Sequence, residues 1–167
     1  MTAERETSGE PLLIEILDEQ TVLKPDLERI RKVCGLILAD AGINSGRVAA
    51  VLVDNGTIQQ YNRDFLKHDF PTDVISFPLE ERLEQGYLEG EILVSTETAK
   101  ERAAEFQWTA EEEMLLYVVH GILHLTGYDD TTPEKRSIMR QKETEFLQRI
   151  GITVPDWSAG DWEEDEE

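Results

Sequence analysis

The chain has 167 residues, 31% of them charged, and a formal net charge of −20 at pH 7. That length suits one domain with a core of its own, and the single cysteine, Cys34, excludes an intrachain disulfide framework, so a reducing cytoplasm is the expected compartment. No apolar run nears the roughly 20 residues of a membrane-spanning helix, and neither end carries a charged-then-apolar leader pattern.

Residues 1–10 are polar and predict a flexible N-terminus. LLIEILD at 12–18 reads as a strand. Pro25 fits the first turn of a helix whose apolar stripe runs Leu27, Ile30, Val33, Cys34, Ile37 and Leu38, and Ala41-Gly42 ends it. VAAVLVD at 48–54 is nearly all apolar and predicts a central strand covered on both faces. A short helix fits 56–66. After the turn KHDFP, the β-branched and aromatic run TDVISFPL predicts a strand, with Pro78 marking an edge or a strand end. EGEILVS supplies another strand over about 89–95.

From there the chain is helical. TETAKERAAEF forms one amphipathic segment. Thr109 and Glu112 are spaced as a capping box opening a second helix, which runs to about Thr126 and stops at Gly127. Thr132 and Pro133 open a third, to about Arg149. The order β α β α β β α α α predicts a single-domain α/β sandwich with a small mixed four-stranded sheet, spanning 11–152, followed by an acidic tail at 153–167. Six of the negative charges lie in the last seven residues, leaving −14 on the remainder. The overall charge therefore counts modestly against a polyanionic partner and does not exclude a local basic groove.

At 100° per residue, the 109–126 helix carries His120, His124, Leu116, Tyr117 and Leu123 on one side and Leu115, Val118, Ile122 and Leu125 on the other. It is apolar all round, which predicts a central buried helix. His120 and His124 are two of only three histidines, and their spacing projects both from successive turns of one face, where they can reach a single ion. The bland alternative is a pair of neutral core histidines bonded to backbone carbonyls. Two unpartnered imidazoles side by side would each carry a desolvation cost, which a shared ion removes. A catalytic metal site takes three protein ligands and leaves a position open. Gly127 lets the chain double back through Tyr128, so Asp129 or Asp130 is placed to be the third. Gly121 stands where the HExxH metallopeptidase pattern has its general base, so peptide hydrolysis lacks its usual machinery.

HGILHLTGYDD at 120–130 resembles the motif HGxLHLxGYDH of the YbeY family of bacterial rRNA maturation factors, at every fixed place but the last. NRDFLKHDFPTDVISFPLE at 62–80 is similar to the family's NxxxxxxDxPTDVLSFP segment, and GEILVSTETAKERAAEF at 90–106 to its GDIxISxExAxxQA segment. The resemblance covers roughly residues 50–150 and implies the α/β sandwich with a cleft over a metal. It implies a single-strand-specific endoribonuclease acting in small-subunit rRNA 3′-end processing and ribosome quality control. It further implies one divalent ion, of zinc type, held by His120 and His124, with Asp130 in the place of the family's third histidine. Implied partners are single-stranded RNA and the small ribosomal subunit or its associated proteins, with no membrane and no DNA.

Where many members have an arginine this chain has Leu66, with Lys67 adjacent and Arg63 one turn back, so His120 and Lys67 are the expected catalytic residues. Ser76 and Phe77 are expected to border the cleft, and His68 is the spare imidazole beside Asp69. Asp129 either orients a ligand histidine or helps to cap the helix end. Two His and one carboxylate also describe the non-haem iron facial triad, but the surrounding motifs are those of the nuclease family. A rival of another class is a non-cleaving assembly factor with a structural metal, docking through Lys67, Lys100 and Arg102. A metallopeptidase is the remaining alternative.

Overall fold

The computed structural model describes residues 11–66 and 72–154. The expectations for residues 1–10, for Lys67, His68 and Asp69, and for the tail from Pro155 lie outside the described residues. The elements run β1 (Leu12–Asp18), α1 (Leu27–Asp40), β2 (Ser45–Val53), α2 (Asn55–Leu66), β3 (Val74–Arg82), β4 (Tyr87–Ser95), α3 (Thr96–Phe106), α4 (Ala110–Leu125) and α5 (Pro133–Arg149). A short 3-10 turn, Leu83–Gln85, joins β3 to β4.

The four strands form one mixed sheet in the order β1-β2-β4-β3. β1 runs parallel to β2, β2 parallel to β4, and β3 antiparallel to β4. β2 is central and buried on both faces, as its unbroken apolar run requires. Pro78 sits on edge strand β3, the kind of strand in which proline is tolerated, and the register shifts just past it, between Pro78 and Glu80. The strand continues beyond that irregularity to Arg82, further than its apolar pattern indicates.

One sheet face, with Val48, Ala50 and Leu52 of β2 and Leu88, Ile92 and Val94 of β4, packs with α1 and α4 into the main core. The other face carries a smaller cluster of Val51, Val53, Ile58, Ile75 and Leu93, with Phe77 against it. Each fully buried Leu, Ile or Val stabilises by about 1.5–3 kcal/mol over exposure. α4 alone buries Leu115, Leu116, Val118, Val119, Ile122, Leu123 and Leu125, so the helix carrying the histidines anchors the core.

Two details correct the reading from sequence. Pro25 lies outside α1, one residue before the cap: the cap is Asp26, whose side chain accepts from Arg29 N at 3.2 Å. α4 is not apolar all round, because Glu113 is buried with it and accepts from Trp108 Nε1 at 2.6 Å. Burial raises the pKa of that carboxyl. Among the described residues no helix is long and apolar enough to cross a membrane.

Candidate metal centre

α4 opens on a complete capping box between Thr109 and Glu112 and ends on Thr126. Gly127 then takes a φ of 112°, a conformation that side-chain-bearing residues rarely adopt, and the chain reverses. Tyr128 N donates to Leu123 O at 3.1 Å, which clamps the reversal against the last helical turn. Asp129 Oδ1 accepts from Thr131 N at 3.2 Å and from its hydroxyl at 3.1 Å. Asp129 thus caps the turn, and these bonds lower its pKa. Arg136 Nη1 donates to the backbone carbonyl of Asp130 at 3.2 Å, fastening the next residue from α5.

Held this way, Asp130 points back over the helix end. Its Oδ2 lies 3.5 Å from His120 Nε2 and 3.6 Å from His124 Nε2. The two imidazole centroids are 4.7 Å apart, and one ligand atom from each of the three residues falls within 4.8 Å of the others. Donors about 2.0–2.2 Å from a tetrahedral ion stand about 3.3–3.6 Å from one another. The nitrogen–oxygen spacings match that geometry, while they exceed good hydrogen-bond lengths. Two imidazole nitrogens and a carboxylate oxygen form a donor set for a borderline divalent cation, so this group could hold a metal ion. The side chains are 20%, 28% and 17% exposed for His120, His124 and Asp130, which leaves the centre reachable from solvent.

The electrostatics are those of a site short of positive charge. Burial pushes His120 down, but the Asp130 and Glu143 carboxylates, with Asp73 behind them, outweigh it and raise its pKa to about 10. The neighbouring His120 and His124 imidazoles hold Asp130 well below the usual carboxylate range.

Glu143 is the residue that the sequence reading missed. It lies on α5, 23 positions beyond His120, and its Oε2 is 2.5 Å from His120 Nδ1. One signal was available: Glu143 falls on the buried stripe of α5 with Met139, Phe146 and Leu147, a place where an acid is out of pattern.

The other singled-out residues divide. Ser76 is half-buried and its hydroxyl donates to Gly121 O at 3.1 Å, tying β3 to α4 between the two histidines. Phe77 is half-buried against the smaller cluster and packs with the exposed Tyr61 and Phe65, ring centroids 6.1 and 5.9 Å away. Arg63 stands on α2 with Nε 3.6 Å from Asp64 Oδ1. Arg102 is half-buried and its charge acts on Glu113, whereas Lys100 is exposed. A Cβ at Gly121 would lie 3.0 Å from methyls of Ile92 and Val74, so a glutamate there has no room. The close seating of α4 on the sheet thus excludes the general base of the HExxH pattern.

The profile of the family described as Endoribonuclease YbeY matches residues 15–151. A Rhodopirellula baltica protein of that name is 49% identical over 116 residues, a match spanning 68% of this chain and 59% of that relative. A Sulfurovum protein of the same name is 37% identical over 140 residues, 81% of this chain and 90% of its own. A solution structure of a Thermotoga maritima protein superposes with a TM-score of 0.58 at 29% identity, covering 93% of this chain and 96% of that one.

Proposed function

This chain belongs to the Endoribonuclease YbeY family, and from that premise we propose that it is a metal-dependent endoribonuclease cutting single-stranded RNA in rRNA maturation. The observation that carries this reading is the convergence of His120, His124 and Asp130 on a solvent-reachable point, with the Asp130 oxygen 3.5 and 3.6 Å from the two imidazole nitrogens.

His120 and His124 would present Nε2 and Asp130 an oxygen to one divalent ion, Zn2+ being the best match to the donor set. When bound, such an ion supplies Lewis acidity towards a phosphoryl oxygen and makes water more acidic. The chain's own share is to hold three donors in place without a rearrangement at the moment of reaction. Gly127 and the Arg136 bond to the Asp130 carbonyl do this from opposite sides of the reversal. Lys67, with Arg63 one turn back, is proposed to neutralise the scissile phosphate in place of the family's arginine. The small ribosomal subunit or its associated proteins are the proposed partners and the cytoplasm the compartment, with neither DNA nor a membrane involved.

The test is cleavage of a labelled single-stranded RNA and of its duplex by the purified protein. Cutting of the single strand alone, abolished by a chelator without loss of circular dichroism and restored by Zn2+, is the expected result. Intact RNA beside stoichiometric bound Zn2+ would instead identify a non-cleaving assembly factor.

A further inference from the structure

Glu143 is a carboxylate in the wrong solvent. Its side chain is 2% exposed, and removing an ionised carboxylate from water costs several kcal/mol unless charge and hydrogen bonds compensate. Among the described residues its Oε1 has no hydrogen-bond partner, and its Oε2 lies 2.5 Å from His120 Nδ1. The opposite nitrogen of the same ring, Nε2, faces Asp130 Oδ2 at 3.5 Å. The ring is therefore held between two carboxylates from different elements, one deep and one at the mouth of the site.

An imidazole binds metal through one nitrogen, and the hydrogen bond made by the other decides which one that is. An ionised carboxylate only accepts, so a bond to Glu143 requires the hydrogen on Nδ1. We propose that Glu143 is the positioning residue of the site, keeping the hydrogen on His120 Nδ1 and leaving Nε2 as the metal-facing donor. It acts through His120 and touches no reacting atom. A cation at Nε2 would balance the buried charge through the ring. Asp130 and Glu143 together bring two negative charges to one divalent ion, which makes the loaded centre neutral. An all-histidine set with the same buried acid would retain a positive charge.

The inference rests on the metal reading above, and the experiment separates the two. Zn2+ affinity is measured by chelator competition for the wild type, Glu143→Gln and Glu143→Ala, with 15N spectra of the histidine rings and unfolding curves of the metal-free proteins. The expected result is a loss of about 10–100-fold for Glu143→Ala and a smaller loss for Glu143→Gln, which keeps an acceptor oxygen without the charge. The Zn2+-loaded wild type should show a slowly exchanging His120 Nδ1 proton that Glu143→Ala lacks. Should Glu143→Ala fail to fold, the nearly isosteric Glu143→Gln carries the comparison. Equal Zn2+ affinity in wild type and folded variants, or an unprotonated Nδ1 in the loaded wild type, overturns the proposal. A wild type that takes up no Zn2+ overturns the metal reading first and this inference with it.

Discussion

The Ser76 hydroxyl donates to the carbonyl of Gly121 at 3.1 Å, so the edge strand is fastened to the helix at the residue following the first histidine of the candidate site. That bond and the close seating of Gly121 on Ile92 and Val74 set how deeply α4 lies on the sheet. The position of both imidazoles follows from that depth.

Ser76→Ala removes the side-chain donor and leaves the strand in place. A net loss of about 0.5–1.5 kcal/mol in unfolding free energy is expected. Urea denaturation measures it.

Gly121→Ala forces a methyl to within 3.0 Å of two core methyl groups. Overpacking of this kind costs about 1–3 kcal/mol. Gly121→Glu should destabilise more and create no peptidase, because its side chain would enter the sheet interface. Thermal unfolding together with an unstructured-peptide assay decides both points.

Asp130→Ala removes a proposed ligand, and among the described residues His120 and His124 are its companions in the metal-capable group. A fall in Zn2+ affinity larger than the roughly 10–100-fold typical of an outer-shell partner is expected, whereas Asp130→His should retain binding. Metal content after dialysis, compared with His120→Ala, gives the result. Full occupancy in Asp130→Ala would remove that residue from the ligand set.

The metal-free protein should lose stability on the alkaline side. His120 is raised from 6.5 to about 10, so its contribution is complete below pH 6.5 and disappears as the pH climbs through 10. Asp130 is lowered from 3.8, so its contribution is present above that value and is lost in acid. Urea midpoints at pH 6 and pH 9 should therefore differ more in chelator-treated wild type than in His120→Gln. Metal uptake must expel the proton on Nε2, so Zn2+ affinity should rise with pH over the same range.

Much of this molecule is legible along the chain because its signals are local. The capping box of α4, the Thr132-Pro133 start of α5, the stop at Gly127 and the unbroken apolar run of β2 mark elements at nearly the observed places. The His120–His124 spacing needs only the helical repeat to predict a shared face. A helix turns by a constant angle per residue whatever surrounds it, so such features need no knowledge of the rest of the chain.

What the tertiary structure alone decided are relationships between elements. Nothing within a few residues of Glu143 announces His120 as its partner; packing of α5 against α4 brings them to 2.5 Å across 23 positions. Spacing alone leaves Asp129 and Asp130 open, and the family resemblance implies Asp130; the reversal at Gly127 turns the first carboxylate to its own turn and the second towards the imidazoles. Side-chain direction there depends on how far α4 sinks into the sheet and on the grip of Arg136 on the loop. Those are sums of many contacts between distant segments, which no short window of residues contains.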